Sequence, residues 1–279
     1  MTWCDAQTSF GVRCYDAIRE NLVAFTGNTW PTLAKLNARS QHHELVNHRG
    51  HAIRFVAPND DETIAIHYEK RIAETGEIAT RENWHDFFNA MQWLTFPQSK
   101  AAISEMHTRL MAAQTAGVKV RSIPRDVLTL FDEGGVIVAS ADESLLTHIR
   151  NFEWKKLFVD RRAETGKNIN FYLAGHSVLE KMLDPFVGVM AKALLLKVDD
   201  NFFAQSHDEQ LCEIDSRAAD WLMNEASLVS TRNLHPLPIL GIPGWFAANE
   251  SPGFYDDAHY FRAGYSRDRA KSSSENESA

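Results

Sequence analysis

The chain has 279 residues, 44% hydrophobic and 24% charged, which is enough to bury a full-sized core in one large domain or two small ones. A net charge of −8 and a pI near 5.8 exclude a broad phosphate-tracking surface, which needs clustered Lys and Arg to displace counterions. Cys4, Cys14 and Cys212 are odd in number and lack C-x-x-C spacing, so reduced thiols in a cytoplasm fit better than a disulfide framework or a zinc knuckle.

In chain order, the N-terminal MTWCDAQTSF has no basic stretch leading into an apolar run, so no secretory signal is expected. The first clear helical pattern is NWHDFFNAMQWL: Trp84, Phe87, Phe88, Met91 and Leu94 share one face, with Asn83 placed as a cap. Phe96-Pro97 marks a corner into a second helix, which the spacing carries through Ile103, Met106 and Leu110 to Gly117. RDVLTLFDEGGVIVAS reads as a helix or turn ending at Asp132-Glu133-Gly134-Gly135, then a strand from Val136 to Ala139. Polar-capped helical pieces follow through Leu157, then the strand NINFYLA, a helix from about His176 and a second β-like run, AKALLLKV. The connection between these last two strands is short, near the lower limit for a parallel crossover. The run VGVMAKALLLKV is too short to span a bilayer and is broken by Lys192 and Lys197, so no membrane segment is expected. A long helix is expected over Asp208 to Ser227. LHPLPILGIPGW and SPGFYDDAHYFR should be ordered loops, and the polar stretch from Ser266 a disordered tail. The expected fold is α+β: one mainly helical domain over 1–265 with a small β-sheet and ordered Pro/Gly/aromatic-rich C-terminal loops.

Several stretches carry candidate chemistry. FYLAGHSVLEK resembles the strand–Ser–helix elbow of a serine hydrolase, but Leu179 stands where that turn wants glycine, which leaves Ser177 a distant candidate. His176 and Glu180 lie four apart on one helical face, where both can ligate one metal ion. With 12 histidines and 37 carboxylates, one or two such pairs arise by chance; position adds more, because a helix N-terminus keeps an imidazole neutral as ligand or base. His85, with Asn89 and Gln92, forms a polar stripe beside the aromatic face, and Asp86 sits in the same first turn. Lys100 and His107 share a face with Ile103, and if buried they need partners, for which Asp86 and Glu180 are candidates. Asp132-Glu133-Gly134-Gly135 reads as turn chemistry, and Arg125-Asp126 as a helix start. Asp256-Asp257 and Arg262, among aromatics, form either a lid or a C-terminal staple. No Walker loop, dinucleotide fingerprint, H-E-x-x-H or EF-hand loop is present.

Taken together, YEKRI, TGEIATRENWHDFFNAMQWLTFPQSKAA, RDVLTLFDEGGVIVAS, FYLAGHSVLEK, LPILGIPGW and FYDDAHYFR resemble a bacterial family known as domain of unknown function 3025, over about Ile53 to Arg262. The resemblance implies a bacterial cytoplasmic protein and no particular reaction. It points to Gly175, His176, Glu180 and Lys181, with Ser177 at a position of no fixed chemistry. The expectation is a hydrolase acting on a small anionic ligand, a phosphate or carboxylate. Its acid–base groups would be His85, Asp86, His176 and Glu180; a divalent metal would be held by His176, Glu180 and His85; substrate would be oriented by Arg81, Lys100, Lys181 and Arg262. The alternative is a non-catalytic binding or interaction protein in which the same residues form a buried polar network.

Overall fold

The computed structural model describes residues 2–58, 65–113 and 122–264. In chain order these form the short helices α1 (Trp3–Ala6) and α2 (Arg19–Val23), helix α3 (Leu33–His42), strand β1 (Arg54–Val56), α4 (Ala65–Thr75), β2 (Glu77–Ala79), α5 (Trp84–Thr95) and α6 (Pro97–Ala113). There follow α7 (Ile123–Gly134), β3 (Gly135–Ser140), α8 (Glu143–Arg150), β4 (Ile169–Leu173), α9 (His176–Lys181), β5 (Ala191–Lys197), α10 (His207–Met223) and β6 (His235–Leu237). The fold is mainly helical α+β, as its sequence pattern implies. The expected helix end at Gly117 and the polar stretch from Ser266 lie outside the described residues.

Sheet order β4-β3-β5-β6 puts the wholly buried β3 in an inner position, antiparallel to β4 and parallel to β5. The strand alternation assigns one side chain in two to each face. Val136, Val138, Phe171, Leu173, Ala191 and Ala193 pack with α5, α9 and the C-terminal loops, whereas Ile137, Ala139, Tyr172, Leu194 and Leu196 pack with α6, α7 and α10. Two cores therefore flank one sheet. A second, two-stranded sheet pairs β1 and β2 in parallel.

Three expectations need correction. The strands before and after α9 are not a parallel pair, because β3 inserts between them and β4 runs opposite to β5; a short connection suffices when no parallel crossover is made. The helix expected to reach Ser227 ends at Met223, where the Asn224 side chain accepts from the Ala226 N–H and opens a separate 3-10 turn. Within LHPLPILGIPGW, His235–Leu237 is a strand on β5, and Pro236 is tolerated because β6 is an edge.

The C-terminal loops are ordered by buried polar anchors. Asn249 Nδ2 donates to the carbonyls of Leu240 and Ile242, at 2.8 and 2.7 Å. The Tyr255 hydroxyl donates to Gly241 O at 2.8 Å, and the Tyr260 hydroxyl to Val189 O at 2.7 Å. Asp257 accepts from the N–H groups of His259 and Tyr260, and Asp256 pairs with Lys155, so this stretch is a staple rather than a lid.

Candidate functional site

Three helix ends, the starts of α5 and α9 and the end of α7, meet beside the start of β3. Asn83 Oδ1 accepts from the Asp86 N–H and starts α5, which sets His85 in the first turn. Helix α7 stops at Gly134-Gly135, placing Asp132 and Glu133 in its last turn. Gly175 then brings α9 directly against that corner: a Cβ on Gly175 would lie 2.5 Å from Gly135 N and 2.6 Å from Glu133 O. Only glycine permits this approach, and the N–H groups of Ala174 and Gly175 both donate to Gly135 O, at 2.9 and 2.8 Å. His176, the next residue, thereby lies beside Asp132 and Glu133.

The two histidines meet edge to face, with Nε2 of His176 3.1 Å from Nε2 of His85. Glu133 Oε2 lies 3.5 Å from the same His176 Nε2. Among the described residues, His85, Glu133 and His176 are the one group of three or more His, Cys, Asp or Glu whose donor atoms all lie within 4.8 Å of one another. A tetrahedral ion with ligand bonds of about 2.0–2.1 Å separates two nitrogens by about 3.3 Å, so the observed 3.1 Å, a hydrogen-bond distance between the two rings, is also close to the spacing of two imidazoles on one ion.

The outer nitrogen of each ring faces a carboxylate of its own. Asp132 Oδ2 is 3.7 Å from Nδ1 of His176, and Glu180 Oε2 is 3.6 Å from Nδ1 of His85. Nδ1 of His176 is buried and has no hydrogen-bond partner among the described residues. The site is graded from inside to outside: His176 is 4% exposed, while the side chains of His85, Glu133 and Glu180 are 45%, 43% and 41% exposed.

Behind Asp132 lies a buried cation. Lys100 donates to Asp132 and to Asn89 Oδ1 (2.7 Å), and Asn89 Nδ2 donates to the Tyr68 hydroxyl at 2.8 Å. Burial works to raise the Asp132 pKa, but the Lys100 ammonium and His176 hold it below the usual carboxylate value. Glu133 is also lowered, first by its hydrogen bond with His176. Glu69 is pushed up to about 7 by burial and by the charge of Asp132.

The expected residues therefore separate into groups. His85, His176 and Glu180 are brought together, but Glu180 stands at Nδ1 of His85 and Glu133 adjoins the facing nitrogens. Lys100 pairs with neither Asp86 nor Glu180: it lies one helical turn into α6 against the end of α7, so Asp132 is the carboxylate it meets. Asp86 accepts from the Arg81 N–H at 2.8 Å and fastens the entry to α5. Arg81 and Lys181 are exposed, and no described contact joins either to the histidines. Arg262 belongs to the C-terminal staple, its carbonyl accepting from Trp154 Nε1 and its guanidinium donating to His259 O. Ser177 has no described hydrogen bond to a histidine, and Leu179 is fully buried in the core. Sequence reasoning missed Asp132 and Glu133 by reading FDEGG as a turn. The signal was the helical spacing of Val127, Leu128 and Phe131, which runs on to the glycines and makes both carboxylates helix-terminal.

Among the described residues, no helix is long and apolar enough to cross a membrane. No curated protein and no solved structure gives a significant match. The model of the family described as "Protein of unknown function (DUF3025)" matches residues 53–265, a span that includes every residue of this cluster, and the chain belongs to that family.

Proposed function

We propose that this protein is a cytoplasmic metal-dependent hydrolase whose centre is one divalent ion of the zinc class, held by Nε2 of His85, Nε2 of His176 and a Glu133 carboxylate oxygen. The observation that carries the reading is the convergence of these donor atoms while each ring turns Nδ1 toward a separate carboxylate. Metal-ligating histidines almost always give their second nitrogen to such a partner, which fixes the tautomer and raises ligand basicity. With three protein ligands such an ion would keep a position for water and would supply a nucleophile near neutrality, because ions of this class lower the pKa of bound water to about 7. An ion held by His85, His176 and Glu133 would supply a positive charge for a phosphate or carboxylate oxygen, so a small anionic substrate would need neither Arg81, Lys181 nor Arg262 at the centre. The three free thiols fit a reducing compartment.

The rival reading, a structural polar network, is favoured by one observation: among the described residues, Lys100 contacts Asn89, Asp132 and the Trp93 ring and no histidine. Titration of the metal-stripped full chain with Zn²⁺ separates the two. The expected result is about one equivalent bound, a loss of more than 100-fold in affinity in His85→Ala with the fold retained, and zinc-dependent cleavage of an activated phosphate or carboxylate ester. Absence of stoichiometric binding in the wild-type protein would sink the proposal.

A further inference from the structure

Lys100 poses a physical question. Its ammonium is drawn into the interior, 6% exposed, to pair with an aspartate whose side chain is 14% exposed. A pair of this kind recovers its desolvation cost poorly and is often replaceable by apolar residues without loss of stability. Stability alone therefore does not account for it, and its placement supplies another role.

Lys100 engages Asp132 Oδ1, leaving Oδ2 turned toward Nδ1 of His176, 3.7 Å away. The ammonium is in turn held by Asn89 Oδ1 at 2.7 Å, and Asn89 by the Tyr68 hydroxyl at 2.8 Å. The chain Tyr68–Asn89–Lys100–Asp132–His176 thus joins α4, α5, α6, α7 and α9. A histidine ligating through Nε2 must be neutral with its proton on Nδ1, and an ionised acceptor fixed at Nδ1 selects that tautomer. A carboxylate with both oxygens free can rotate away from the ring or swing to the ion itself. One with an oxygen tied to an ammonium cannot.

We propose that Lys100 is a positioning residue: by fixing the rotation of Asp132 it presents an oriented carboxylate to His176 and sets the metal affinity of the centre. The inference rests on the metal reading above and adds to it a residue that touches neither ion nor substrate.

The test uses the full-length chain, Zn²⁺ alone as probe, competition against a chromophoric chelator for the dissociation constant, and thermal melts in chelator. Lys100→Met should weaken zinc binding about 10–100-fold, the range typical of lost outer partners, and should lower Tm because Asp132 is left buried and unpaired. The double variant Lys100→Met/Asp132→Asn removes both charges. It should regain most of the lost Tm while still binding zinc at least 10-fold more weakly than wild type, a combination that a purely structural ion pair does not produce. A folded double variant with wild-type zinc affinity overturns the proposal. If the wild-type chain itself fails to bind zinc, the metal reading has failed, and the role of Lys100 with it, a result visible before any variant is made.

Discussion

Two aspartates in different parts of the molecule, one buried and one partly buried, show what separates a structural polar group from a poised one. Asp215, on α10, is 2% exposed, and both its oxygens are spoken for: Gln98 N donates to one at 2.9 Å and Ser99 N to the other at 2.8 Å. It caps the start of α6 from a neighbouring helix, and Ser99 Oγ closes the loop by donating to Asp215 O. Asp132 is less enclosed, its side chain 14% exposed, and among the described residues only one of its oxygens is hydrogen-bonded, while the other faces a ring nitrogen with no described partner. Buried polar groups are as a rule paired, and a closed set such as Asp215 satisfies that rule within the protein. The Asp132 set satisfies it only once His176 is fixed in one tautomer, as a ligand on its far side would do.

Substitution should separate the two regions. Asp132→Ala strands Lys100 as an unpaired buried cation and should cost about 3–5 kcal/mol in urea unfolding, accompanied by a clear loss of zinc affinity. Asp215→Ala exposes no cation but leaves two helix-start N–H groups buried and unpaired, for an expected cost of about 2–3 kcal/mol with zinc affinity unchanged. Equal zinc loss in both variants would mean that Asp132 acts only through stability, and the contrast would collapse. Gly175→Ala tests the corner that brings the histidine to its carboxylates. The added methyl meets backbone rather than a yielding side chain, so about 1–3 kcal/mol should be lost, with zinc binding impaired beyond what that destabilisation explains.

The sequence carried the helical frame plainly, because α5, α6 and α10 are long enough for their apolar spacing to declare itself, and Asn83 and Pro97 mark the starts of the first two. His85 and His176 were legible for a related reason: both stand at helix starts that local chemistry specifies. Glu133 and Asp132 were not, since an Asp-Glu-Gly-Gly run has the composition of a turn wherever it lies, and its role depends on Gly175 arriving from 40 residues downstream. Lys100 was visible as a residue needing a partner, but which carboxylate it meets is settled by how α6 crosses α7, a tertiary fact with no local signature. The sheet order failed for the same reason, because β3 entering between β4 and β5 is a long-range event.

The finest test of the contrast is the pH dependence of Asp215. Burial outweighs its two backbone N–H bonds and lifts its pKa to about 6, against about 3.9 in an unfolded chain. Between those values the folded state keeps a proton that the unfolded state has released, so the contribution of this group to stability is greatest below about pH 4 and declines as pH rises through about 6. Asp215→Asn cannot titrate. The stability of wild type relative to this variant should therefore fall by about 2–3 kcal/mol between pH 4 and pH 7 and stay level above it. Urea melts of the two proteins at matched pH measure the difference directly, with every other titrating group common to both. A flat difference would mean that the helix-start N–H groups hold Asp215 ionised throughout, as a cap on the α6 dipole, and that its enclosure carries no electrostatic penalty. A difference that rises with pH would show that those N–H groups favour the anion more than burial opposes it. Either outcome would bring Asp215 closer to Asp132 in kind, and the line between the two regions would then rest on the orphaned nitrogen of His176 alone.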